Sequence, residues 1–157
     1  MPHGSAYVVE TWKNGKAAGT SPLQQQVRAL FEGLSVQPEH VLAGNLVPFR
    51  SPSWKELKNP KSSLEFGELL WTDLLKRARP RLVIGMGQDV LRSLSRILAA
   101  KNHLKISMSW GNVCATKVSF PDGTLIVLPH LSRFKIVTRP KSSHALKELF
   151  KDRWSER

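Results

Sequence analysis

The chain holds a single cysteine in 157 residues, and that scarcity excludes several architectures at once. Cys114 alone closes no internal disulfide and builds no thiolate zinc cluster, so it reads as a core residue. No apolar run is long enough to cross a bilayer. The amino end Met1-Pro2-His3-Gly4 lacks the basic and then apolar pattern of a signal peptide, which predicts a soluble, cytoplasmic protein. Acidic residues are also few: 12 Asp and Glu stand against 24 Lys and Arg, a formal charge of +12 with a pI near 10.4. Such a balance favours polyanionic partners, nucleic acid first. Internal repeats and low-complexity segments are absent, and 41% hydrophobic content at this length suits one domain with a sizeable core.

Turn signals at Gly4, Asn14-Gly15 and Gly19 make residues 1–20 mainly loop. Ser21, Pro22 and Gln24 read as an N-cap, a proline at the first helical position and a capping-box partner, opening a helix to about Leu34. Its inner face is Leu23, Val27, Leu30, Phe31 and Leu34. Val41 to Val47 reads as a buried strand ending at Asn45-Leu46-Val47-Pro48-Phe49, followed by a polar loop from Arg50 to Ser63. A second helix is predicted over Leu64 to Ala78. Leu82 to Gly87 then reads as a buried strand running into a helix over Gln88 to Ala100, the βα pattern of a parallel sheet. Trp110 to Phe120 is read as a strand, joined to Leu125–Leu128 through the hairpin-type turn Pro121-Asp122-Gly123-Thr124. A last helix spans Ser143 to Arg153.

Four features can carry chemistry. Asn45 offers an amide donor and acceptor that suit a nucleobase edge, although an isolated Asn before Leu-Val-Pro equally fits a turn residue bonded to its own backbone. Gly85-x-Gly87 sits between strand and helix, where backbone amides can approach a phosphate. It lacks the third glycine of a dinucleotide fingerprint, Val90 standing there, and no acidic residue follows at the ribose-binding distance. The run Leu128-Pro129-His130-Leu131-Ser132-Arg133 is the most informative: a strand ends abruptly in a histidine, a hydroxyl and a cation. His130 can donate to an oxygen gaining charge, while Ser132 and Arg133 can hold phosphates. A Ser-His-Asp hydrolase is disfavoured, since no serine lies in a Gly-x-Ser-x-Gly elbow. Metal binding is disfavoured too, because His3, His40, His103, His130 and His144 are scattered. Last comes a basic belt in two groups, Lys76, Arg77, Arg79 and Arg81, then Arg133, Lys135, Arg139 and Lys141 beside His130. Solvated helix ends and loops account for such charges as readily as a phosphodiester ligand does.

Taken in order, Gly44-Asn45-Leu46-Val47-Pro48-Phe49, Leu82-Val83-Ile84-Gly85-Met86-Gly87 and Leu128-Pro129-His130-Leu131-Ser132-Arg133 resemble the landmarks of the uracil-DNA glycosylase superfamily over about residues 20–140. The resemblance implies an α/β three-layer sandwich with a mainly parallel central sheet. It also implies Asn45 as reader of an extruded base, His130 as stabiliser of charge on the leaving base, and Gly87 and Gln88 on the DNA backbone. Ser132 and Arg133 would then face the lesion strand. The implied reaction is N-glycosidic hydrolysis of a flipped base in DNA, with no cofactor or metal required. Leu131 stands where the family has proline. The family's first motif, a strand and Gly-Pro loop holding the water-activating residue, would precede Tyr7 and is not seen. Asp89 follows Asn45 rather than preceding it and is not assigned as the base. A missing central strand would expose an edge or groove, for which a homodimer is one solution. Two alternatives accompany the glycosylase reading: a non-catalytic nucleic-acid-binding module, and a cofactor-binding enzyme built on Gly85-x-Gly87.

Overall fold

The structure is a computed structural model describing residues 4–155; Met1, Pro2 and His3, which enter the leader and metal readings above, lie outside the described residues. The chain forms two compact units. A terminal unit takes the chain up to Ala43, Leu104–Lys117 and everything from Leu128, while a middle unit takes Gly44–His103 and Val118–Val127. Helices α1 (Ala6–Val9), α2 (Pro22–Gly33), α3 (Pro60–Ala78), α4 (Gln88–Ile97) and α5 (Ser143–Phe150) accompany strands β1 (Leu82–Met86), β2 (Lys101–Trp110), β3 (Val113–Phe120) and β4 (Gly123–Leu128).

The four strands form one sheet in the order β1-β4-β3-β2. Two-residue turns at Gly111–Asn112 and Pro121–Asp122 make β2, β3 and β4 an antiparallel meander. Beside it β1 makes the sheet mixed. This overturns the expected three-layer sandwich with a mainly parallel sheet. Only the β1–α4 step has the βα form on which that expectation rested. The next connection leads into a run of hairpins, because Lys101–Trp110 is itself a strand.

Sequence accounts for most of these elements directly. Helix α2 opens on the expected capping box: Ser21 Oγ accepts from Gln24 N–H at 3.3 Å and Gln24 Oε1 accepts from Ser21 N–H at 3.1 Å. The Gln24 amide is fully buried, and its Nε2 donates to the Ala6 and Glu10 carbonyls, so no polar atom there lacks a partner. Helix α3 begins at Pro60 rather than Leu64, since proline is favoured in a first turn and Asn59 precedes it. In the middle unit Leu75, Leu94, Val118, Leu125 and Val127 form the core, with Trp71, Val83 and Val90 against it.

Residues 41–47 do not form the expected strand. Leu42, Ala43, Gly44 and Asn45 are exposed, so the apolar run has no two-sided burial to reward a ladder. Its later residues instead lie along α3. Gly67 has no side chain there, and a Cβ would collide with the Leu46 carbonyl. Cys114 is also corrected: it is exposed on β3, while Ala115, Thr116 and Val118 are buried. No helix among the described residues is long and apolar enough to cross a membrane.

Candidate nucleic-acid interface

β4 ends where the sequence says it must. Leu125 to Leu128 are all buried, and Pro129 has no N–H with which to continue a ladder. Two side chains then anchor the following loop, Leu131 and Ile136, both fully buried. Between them the N–H groups of Arg133 and Phe134 both donate to the His130 carbonyl at 3.0 Å, which curls the chain into a turn. With Leu131 and Ile136 turned inward, His130, Ser132 and Arg133 are left exposed.

The structure brings the first two into direct contact. Ser132 Oγ and His130 Nδ1 are 2.7 Å apart. If the hydroxyl donates to Nδ1, the other ring nitrogen carries the proton and becomes an outward donor; if Nδ1 donates, the hydroxyl is free to donate instead. Either tautomer presents one donor to an acceptor-only group such as a phosphate oxygen. Nε2 has no hydrogen-bond partner among the described residues.

Four residues of this surface, Trp110, Phe134, Arg133 and Arg139, were not singled out as a set by sequence reasoning. Trp110, at the end of β2, meets the Phe134 ring edge-on, with centroids 5.8 Å apart at 86°. Arg139 lies over the Trp110 ring at 4.6 Å and Arg133 over the Phe134 ring at 5.5 Å. The four side chains form a row, cation, ring, ring, cation. The signal for Trp110 was present in the alternation of Leu104, Ile106, Met108 and Trp110, which marks a strand ending on the tryptophan. That Phe134 and Arg139 meet it could not be read, because the meeting is tertiary.

Buried polar groups hold the row in place. Ser142, fully buried, donates from Oγ to the Met108 carbonyl at 2.8 Å, and Arg139 Nη1 donates to the Ser109 carbonyl beside it. Gln26 on α2 accepts the Val137 N–H at 2.9 Å and donates to Thr138 Oγ1 at 2.6 Å. Segment 137–142 is therefore tied at both ends.

The sequence segments that carry this row are basic up to Glu148. Residues 104–117 and 128–147 contain seven Lys and Arg and no Asp or Glu. Lys117, on β3, donates to the Leu149 carbonyl at the C-terminal end of α5 at 2.9 Å. Burial, then Lys151 and Arg153, hold its pKa below the ordinary lysine value, against the smaller opposing effect of Glu148.

The remaining expected site residues belong to the middle unit. Asn45 is exposed and lies in coil rather than at a strand end, and its carbonyl accepts the Trp71 indole N–H at 3.0 Å. The strand-end placement on which its base-reading role depended is thus absent. Gly87 caps α4 with φ at +88°, a conformation that favours glycine, and the space where a Cβ would stand is open. Gln88 is exposed beside it, at the first turn of α4. Asp89 occupies that same first turn and pairs with Arg92, so a carboxylate already stands where a phosphate would seek the helix N-terminus. Gly85 serves packing: a Cβ there would come within 2.6 Å of Val90 Cγ1. No group of three His, Cys, Asp or Glu among the described residues is placed to hold a metal.

No family model, curated protein or solved structure matches the chain.

Proposed function

We propose that this protein binds nucleic acid through the terminal unit, with Arg133, Lys135, Arg139 and Lys141 on the phosphodiester backbone and the Ser132–His130 pair donating to a phosphate oxygen. The observation that carries this reading is the group Arg133, Lys135, Arg139 and Lys141, none of which has an ion-pair partner among the described residues, with two of its arginines laid on aromatic rings. A surface meant only for solubility mixes both signs. Phosphate contact from Arg and Lys is sequence-independent and strongly salt-dependent, because each neutralised phosphate releases counterions. DNA is the proposed ligand and the cytoplasm the proposed compartment, where the exposed Cys114 remains a thiol.

Base excision is not required by this reading. The expected sandwich fold is absent, Asn45 is not at a strand end, and the non-catalytic alternative uses every feature of the His130 loop that the geometry provides. The test is direct: labelled 15-nucleotide strands and duplexes are titrated by fluorescence anisotropy from 50 to 200 mM salt. Binding at 50 mM that weakens by an order of magnitude or more at 200 mM is expected. No binding at 50 mM contradicts the proposal. A uracil-containing strand run in parallel, with His130→Ala as control, reads whether any base is released.

A further inference from the structure

A nucleic-acid surface can read the backbone alone, or it can also take hold of bases. The terminal unit carries a feature that backbone binding does not need. Trp110 and Phe134 are both only half-buried, and each has a guanidinium laid over it. Leu131 and Ile136 of the same loop are by contrast fully buried. These rings stand at the end of β2 and on the loop after β4.

Hydrogen bonds hold part of this row. Arg139 is fixed by its bond to the Ser109 carbonyl, and the backbone on either side of it by Gln26 and Ser142. The backbone of Arg133 and Phe134 is fixed by the turn closed on the His130 carbonyl. Arg133, Lys135, Arg139 and Lys141 have no ion-pair partner among the described residues, so the cations that frame the rings are not consumed by carboxylates. Planar, partly exposed groups in a fixed row, framed by unopposed charge, are what an unpaired base stacks on, whether on a ring or on a guanidinium plane. A paired base keeps its faces inside the duplex and cannot use them.

Resting on the nucleic-acid reading above, we propose that the row Arg133, Phe134, Trp110 and Arg139 is a stacking platform for unpaired nucleobases, which makes single strands the preferred ligand. The guanidinium groups contribute through planarity as well as charge. Lysine at either position keeps the charge and loses the plane.

The test compares three 15-mers at one salt concentration by fluorescence anisotropy: oligothymidylate, an abasic phosphate backbone of the same length, and a duplex. Oligothymidylate should bind about tenfold or more tighter than the abasic strand, within the range of base–aromatic stacking, and tighter than the duplex. Trp110→Ala and Arg139→Lys should each bring the thymidylate preference close to parity, and Lys141→Ala should weaken both strands alike. Arg139→Lys carries the test by itself if Trp110→Ala does not fold, as judged by circular dichroism. Equal affinity for the thymidylate and abasic strands overturns the platform and leaves backbone binding standing. A duplex bound as tightly as the strand also overturns it. Failure to bind any of the three overturns both readings.

Discussion

The two groups of the basic belt look alike in sequence and differ in the folded units. In the middle unit two of the four belt cations, Arg77 and Arg79, are answered by carboxylates, as are Arg92 and Arg96 outside the belt. Arg77 pairs with Asp73 at 2.9 Å, Arg79 approaches Asp122 at 3.9 Å, Arg92 pairs with Asp89, and Arg96 pairs with Glu68 at 2.6 Å, where Ser93 also donates. In the terminal unit Arg133 and Arg139 lie on aromatic rings, and no carboxylate occurs in the segments around them. Exposed ion pairs add little stability, but they cancel local field. Charge left on an aromatic bed keeps its field and its hydrogen-bonding edge. The comparison teaches that net charge locates no ligand; the placement of the counter-charges does.

This contrast can be broken by substitution. The largest effect is expected where the unpaired cations are anchored. Leu131→Ala removes a fully buried side chain and should cost about 2–5 kcal/mol of stability, read from urea unfolding. A cost below 1 kcal/mol would mean that the His130 loop is not pinned through Leu131. Next, the double variant Arg133→Ala, Arg139→Ala should weaken binding to a single strand by about a hundredfold or more, as loss of two charge-assisted contacts of roughly 1.5–3 kcal/mol each requires. Arg77→Ala with Arg79→Ala, removing the same charge from the middle unit, should change it less than threefold. Equal losses would erase the distinction between the units. Ser142→Ala leaves the Met108 carbonyl without its side-chain donor and should cost about 1–3 kcal/mol, seen as a lower Tm.

The smallest effect concerns pH. Lys117 has a lowered pKa in the folded chain, so between that value and the ordinary 10.5 the unfolded chain binds more protons. Stability from this residue therefore rises with pH across that window and is lost as pH falls through the folded value. Lys117→Met should flatten that rise in urea midpoints measured from pH 8 to 10. Tyr7, whose pKa burial raises, acts in the opposite sense as pH climbs past 10. A wild-type curve identical to that of Lys117→Met would show that the lysine is solvated.

Sequence carried the local steps well and the tertiary ones poorly. The capping box at Ser21 and Gln24, the β1–α4 step and the end of β4 at Pro129 all follow from chemistry within a few residues, and each is present. The expected strand over 41–47 failed because a short apolar run does not reveal whether anything covers it. Here four of its residues are exposed, and a missing side chain at Gly67 draws the rest onto α3. β2 went unassigned although its second half alternates cleanly, because Lys101 to Lys105 are exposed and polar around Leu104. That omission turned a mixed sheet into an expected parallel one. At the candidate site the proximity of His130 and Ser132 was legible, being two residues apart. The aromatic row was not, since Trp110 reaches Phe134 and Arg139 only through the fold.

The most direct test of the central claim is the salt dependence of single-strand affinity for the wild-type chain and for the Arg133→Ala, Arg139→Ala double variant. Each lost phosphate contact should lower the slope of log K against log salt by about 0.7, so the double variant is predicted to fall by about 1.4 while the Arg77→Ala, Arg79→Ala variant keeps the wild-type slope. Identical slopes in all three proteins would contradict the claim that the unopposed cations of the terminal unit bind the backbone.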